Sequence, residues 1–251
     1  MNPQIVTLFA LVVIFAGALV GMCLRSSLPK HHLSDESRDV MKLGIGLIGT
    51  MAAMVLGLLV ASAKGSYDAQ SAELIQMSAN VMVLDRVLAR YGPEANGIRE
   101  SLRKAVLAFR DQTWSKSRRG ASHFEPTSAS TEFLYDQVQS LTPKDELQRT
   151  LQTQASSMAM SIKQTRSLMY EQATTSVSAP LLAVLVFWFT MIFIGWGLLA
   201  PPNRTLLVTM FVSALSVCGA IFLILEMYSP YRGWIQVSQA PLRAALAQLG
   251  Q

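Results

Sequence analysis

Charge is scarce in this sequence. Only 15% of its residues are Asp, Glu, Lys or Arg, against about 25% in ordinary soluble domains. The deficit argues against a conventional soluble globule, and a mean hydropathy of +0.34 agrees. Cysteine is nearly missing as well. Cys23 and Cys218 both lie inside apolar runs, with no spacing that fits a disulfide framework or a metal site, so they read as small apolar residues. The chain has no Gly-rich phosphate loop, no nucleophile elbow and no HExxH. Enzymatic activity is therefore not expected, and no cofactor is implied. The net charge of +5 comes without any nucleic-acid-reading motif; such basic residues suit membrane orientation and anionic headgroups rather than nucleic acid. His31 and His32, beside Asp35 and Glu36, are adjacent ligands without helical or strand spacing, so they read as a solvated loop and no metal site is assigned.

The apolar residues are gathered into four blocks, at 5–24, 43–63, 179–200 and 206–225. Twenty helical residues span about 30 Å, the thickness of a bilayer's hydrocarbon core. The first block is preceded by no Lys or Arg and exceeds a normal signal-peptide core, so it is read as a retained helix. In the second, Gly49, Ala53, Gly57 and Ala61 recur every four positions, with Gly46 and Thr50 beside them. Such a face stays narrow and smooth and lets another backbone approach closely. It suits packing within the subunit, or else a subunit interface or a conduction path. Pro201 and Pro202 stop the third block, and Asn203 and Arg204 turn directly into the fourth, giving a helical hairpin. No block carries a charge in its interior, which argues against a proton relay, a voltage sensor or an ion-coupled pump.

Between the second and third blocks, residues 64–178 read as a helical extramembrane domain. Leu74, Met77, Val81, Leu84 and Leu88 follow a heptad seam that Gly92 and Pro93 end. Ile98, Leu102, Val106 and Phe109 mark a second helix, Trp114 to Ser130 a polar loop, and Phe133 to Leu141 a short third helix. Thr142 as N-cap, Pro143 in the first turn and Asp145 at an acidic third position suggest the start of a last helix, with no Gly or Pro to interrupt it before Pro180. It is expected to run on into the third span. Likewise only Gly65 separates the second span from the first domain helix. In the loop, Lys116, Arg118 and Arg119 are candidates for binding anions or lipid headgroups, or form a plain solvated basic loop. The tail, 227–251, is expected to pack on the domain or at the membrane interface.

The stretches His32–Val40, Val83–Glu94 and Glu226–Pro241 resemble a bacterial membrane-protein family catalogued as bestrophin-like (the DUF4239 group). The resemblance covers nearly the whole chain. Bestrophins are pentameric anion channels with two spans, a helical insert, two further spans and a tail, and the layout here is similar. What the resemblance implies is a homo-oligomer, five-membered if it follows bestrophins, that conducts anions. An acidic run like the bestrophin calcium clasp is lacking, as is the aromatic neck, so calcium gating is not carried over.

The expectation is thus an all-α integral membrane protein with four transmembrane helices, 1–63 and 179–226 holding the two pairs, and a bestrophin-like layout. Its partners are the bilayer, further copies of itself and anions. The channel reading places Gly46, Gly49, Thr50, Ala53, Gly57 and Ala61 at a pore or helix interface. The alternative is a membrane-anchored sensor or scaffold whose helical domain binds a ligand or partner protein. As a multi-pass protein of the cell inner membrane, it would hold both termini and the domain on one side. Basic residues number five near each face and so abstain; the bestrophin likeness favours the cytoplasm, chemosensing the periplasm.

Overall fold

The computed structural model describes residues 2–29, 34–114, 128–174, 177–201, 203–231 and 233–249. Among these, helix is the only regular structure, in the order α1 (Pro3–Ser27), α2 (Asp35–Tyr91), a 3-10 turn (Pro93–Ala95), α3 (Asn96–Trp114), α4 (Ser128–Gln139), α5 (Glu146–Thr174), α6 (Ala179–Leu199), α7 (Arg204–Met227) and α8 (Ala240–Gln248). Four of them, α1, α2, α6 and α7, are long and apolar enough to cross a membrane. The chain divides into two compact units, Met1–Gly65 with Ser176–Tyr228, and Ser66–Thr175 with Ser229–Gln251. They are taken in turn.

In the first unit, α1 begins at a designed cap. The Asn2 side chain accepts from the Gln4 amide at 3.2 Å, and Pro3 opens the helix where its missing N–H costs nothing. Asn203 does the same for α7, accepting from the Leu206 amide at 2.6 Å, so the tight turn after the third span is a capped helix start. The core gathers Ile14, Leu185, Phe193, Ile221 and Ile224, with Phe15 and Phe211 edge to face at 5.4 Å. The closest approach is between backbones. Gly17 and Gly21, one turn apart on α1, meet α6 at Thr190, Ile194 and Gly197; a Cβ on Gly21 would lie 3.1 Å from the Gly197 Cα and strike the Ile194 carbonyl. This is small-xxx-small packing. At the end of the same seam, Arg25 donates to the Leu199 carbonyl at 2.7 Å, capping the last turn of α6.

Gly65 does not break α2, which is helical throughout from Asp35 to Tyr91. The opposite holds before the third span. Val177 and Ser178 are not helical, and Ser178 has φ −58° and ψ 105°. Pro180 accounts for this, because in a continuous helix it would have no N–H to return and its ring would clash with the carbonyl four residues back. The expected run of the last domain helix into the third span is therefore wrong.

The second unit is a helical bundle. Every residue of the heptad seam on α2, Leu74, Met77, Val81, Leu84 and Leu88, is buried, and such burial stabilises by about 1.5–3 kcal/mol per side chain. Ile98, Leu102, Val106 and Phe109 bury the facing side of α3. The stretch read as a polar loop is shorter than expected at both ends. Trp114 ends α3, its ring edge-on to Phe109 at 6.3 Å and to Tyr231 at 5.8 Å. Ser128 already starts α4. The start of α5 also differs. Asp145, not Thr142, caps it, accepting from the Gln148 amide at 2.6 Å, while the Gln148 side chain accepts from the Lys144 amide at 2.8 Å. That reciprocal box holds Pro143 outside the helix. The tail belongs to this unit: Tyr231, Val237, Leu242 and Leu249 join its core.

Candidate functional site

The six small residues proposed for α2 are on one side of that helix, and in the protomer that side is not packed. Gly46, Thr50, Ala53, Gly57 and Ala61 are exposed and Gly49 is half-buried. A Cβ added at Gly46, Gly49 or Gly57 would meet nothing within 4 Å. The packing face is the other one, where Ala52, Leu59 and Ala63 are buried. Of the four apolar helices α2 is the least covered, with 11% of its apolar stretch buried against 28% in each of the others. Gly46, Gly49 and Gly57 thus do not serve close helix contacts within the chain, whereas Gly17, Gly21 and Gly197 do. That second set was overlooked in the sequence, although Gly17-x-x-x-Gly21 is the recognised signal for close helix approach.

The first unit also contains a groove of about 440 Å³ between α2, α6 and α7. Gly46 and Gly49 form one wall, Phe189 and Phe193 a second, and Ser213 and Val217 the third, with Lys42 and Trp196 at one end. Gly195 of α6 lets the Ile45 side chain of α2 pack closely beside it: a Cβ there would run into that side chain. The Phe193 and Trp196 rings lie 5.1 Å apart and tilted. Lys42 is exposed and holds Asp39 at 2.8 Å.

In the second unit, polar groups are buried among apolar ones near the α2–α5 contact. Gln172 donates to Glu73; burial pushes the Glu73 carboxyl up, and that hydrogen bond pulls it partly back. The Tyr231 phenol is pushed up as well, by burial and then by the Glu73 charge. Gln70 Oε1, Thr113 Oγ1 and Trp114 Nε1 are buried with no hydrogen-bond partner among the described residues. A separate void of about 30 Å³, the size of one water, lies between Met77, Phe109, Leu134 and Ile162.

The three stretches that carry the family resemblance have structural work to do. In the first, Ser34 caps α2, its hydroxyl 3.4 Å from the Ser37 amide, and Asp35 and Glu36 occupy the first turn, where the helix dipole favours them. In the second, Asp85 receives both arms of the Arg99 guanidinium at 2.8 and 2.9 Å. Gly92 sits at φ 127°, a conformation side chains resist, and Glu94 pairs with Lys144. In the third, Val237 donates to the Pro230 carbonyl at 2.9 Å, closing a turn that carries Tyr231 into the core and leaves Trp234 81% exposed. Lys116, Arg118 and Arg119, together with His31, His32 and His123, lie outside the described residues. Among the described residues no group of three or more His, Cys, Asp or Glu side chains is placed to hold a metal.

A family model described as the Bestrophin-like domain matches residues 12–242. No curated protein and no solved structure matches the chain.

Proposed function

The chain belongs to the bestrophin-like family, and from that premise we propose that it is a homo-oligomeric channel of the cell inner membrane, passing anions, with α2 nearest the shared axis. The observation that carries this reading is the open small-residue face of α2. A helix that turns such a series of Gly and Ala away from its packed side leaves the open side for a neighbouring subunit or a lumen, since small side chains admit either a second backbone or a passing ion. The spans hold no charge in their interiors, which suits passive conduction rather than proton-coupled transport or catalysis. The anion preference and a five-membered ring rest on the family likeness alone. Purified protein in a planar bilayer should conduct, and Gly57→Leu, which fills the open face without touching the packed one, should cut unitary conductance at least fivefold. Silence across calcium, pH and voltage series would defeat the channel reading.

The rival reading, a sensor or scaffold, is favoured by the buried polar atoms of Gln70, Thr113 and Trp114, which a ligand of the helical domain would satisfy. A stoichiometric foreign protein retained through purification from membranes would favour it. The bestrophin likeness favours a cytoplasmic domain over a periplasmic one. A green fluorescent protein fused after Gln251 should then be bright and alkaline phosphatase at the same point inactive; the reverse pattern would put the domain outside.

A further inference from the structure

We propose that the groove between α2, α6 and α7 binds one acyl chain of a bilayer glycerophospholipid, with the lipid phosphate at the Lys42 ammonium. Three observations converge on this occupant. The first is length. From Leu199 to Phe189 the groove follows ten residues of α6, a rise of about 15 Å, which is half of the roughly 30 Å hydrocarbon core and so the depth of a single leaflet. The second is polarity. The groove is apolar along Ile45, Phe189, Ile192, Phe193 and Val217, and its one cation, Lys42, lies with Trp196 at the end where α6 finishes. An apolar trough ending in an ammonium and an indole matches a lipid tail below its headgroup. The third is width. Gly46 and Gly49 supply the wall on α2, and among the described residues no atom beyond their own helix turn reaches within 4 Å of a Cβ at either. Leucine at Gly49 would fill this space.

Lys42 is a partner that can change hands. Its present acceptor, Asp39, is on an exposed ion pair with both side chains more than 60% accessible, a contact of small net worth, so a phosphate can replace it or share it. The inference does not depend on conduction. The six small residues divide between two uses: Gly46 and Gly49 admit the lipid, and Thr50, Ala53, Gly57 and Ala61 remain for the subunit axis. Lipid would then lie beside the seam between subunits and line its edge.

The test is a titration of delipidated, detergent-solubilised full-length protein with palmitoyl-oleoyl-phosphatidylglycerol, the bound number per chain being counted by native mass spectrometry. Wild type should hold one lipid per chain well above the background of weaker adducts. Gly49→Leu should weaken that site at least tenfold, and Lys42→Gln about threefold, the latter less so for phosphatidylcholine. Val217→Phe closes the groove from α7 and serves if Gly49→Leu does not fold. Met54→Leu, on the same helix but 70% exposed and outside the groove, should titrate like wild type. The proposal is overturned if wild type holds no stoichiometric lipid, or if Gly49→Leu and Val217→Phe titrate unchanged. It is equally overturned if a second copy fills the groove, in which case wild type excludes lipid and Gly49→Leu alters the oligomer instead.

Discussion

Gly21→Leu is expected to abolish accumulation of folded protein, lowering the monodisperse peak in fluorescence-detected size exclusion at least tenfold. The argument is steric and rests on backbone. A Cβ at Gly21 would collide with the Ile194 carbonyl and sit 3.1 Å from the Gly197 Cα; one at Gly197 would meet the Ala18 carbonyl and, at 3.0 Å, the Met22 amide nitrogen. Because the obstacles are main-chain atoms, no rotamer change relieves them, and α1 and α6 must separate. Overpacking against yielding side chains typically costs about 1–3 kcal/mol; here the whole seam of Ile14, Ala18, Leu185 and Phe193 is pulled apart, so the loss should exceed that range. The Arg25 cap on Leu199 would be lost with it. Gly219→Ala is the matched control. Nothing lies within 4 Å of its Cβ, and alanine favours helix over glycine by about 1 kcal/mol, so yield should hold or rise. Equal behaviour of the two variants would mean that α1 and α6 do not pack as described.

The same glycines show what the sequence discloses and what it withholds. Four spans are legible from four uncharged runs, because an apolar helix of membrane length is a one-dimensional signal. The heptad seam from Leu74 to Leu88 is legible for the same reason: its periodicity identifies the buried face before any partner is known. The small-residue series on α2 was also visible, but not the side it faces. That depends on which helices pack where, and only the placement of Ala52, Leu59 and Ala63 in the core turns the series outward. The contact at Gly21 needs Gly197, far along the chain, and no local pattern joins them. Asp145 displaces Thr142 as the cap of α5 because Gln148 is tied to the Tyr91 carbonyl at 3.0 Å, a tertiary hydrogen bond that overrides a local preference. The break at Val177 and Ser178 was within reach, since a proline acts on the residues before it as well as on its own position.

The second large effect is expected in the second unit, at Asp85. This carboxylate and Arg99 form a two-armed ion pair whose side chains are only 6% and 17% accessible. Fourteen residues of chain separate them, across the turn that Gly92 and Pro93 make between α2 and α3. The hydrogen bonds that Arg99 donates to Asp85 raise the pKa of Arg99 above its ordinary value despite burial, so the guanidinium stays charged throughout the accessible pH range. Asp85→Ala leaves that charge inside the bundle without this carboxylate, and breaking a buried pair from one side costs about 3–5 kcal/mol. The expected results are a clear fall in the thermal midpoint of the detergent-solubilised protein and faster cleavage of the second unit by limited proteolysis. Glu100→Ala removes the acceptor of the exposed Lys104 pair and should leave the thermal midpoint close to wild type, since solvent screens such pairs. The informative variant is Asp85→Leu with Arg99→Met, which removes both charges and keeps the volume. Such replacements are often neutral or stabilising, so the double variant should regain most of what Asp85→Ala loses. If it is instead as unstable as the single variant, the pair does more than hold two helices at a turn, and Asp85 has to be reconsidered as a residue with a role of its own.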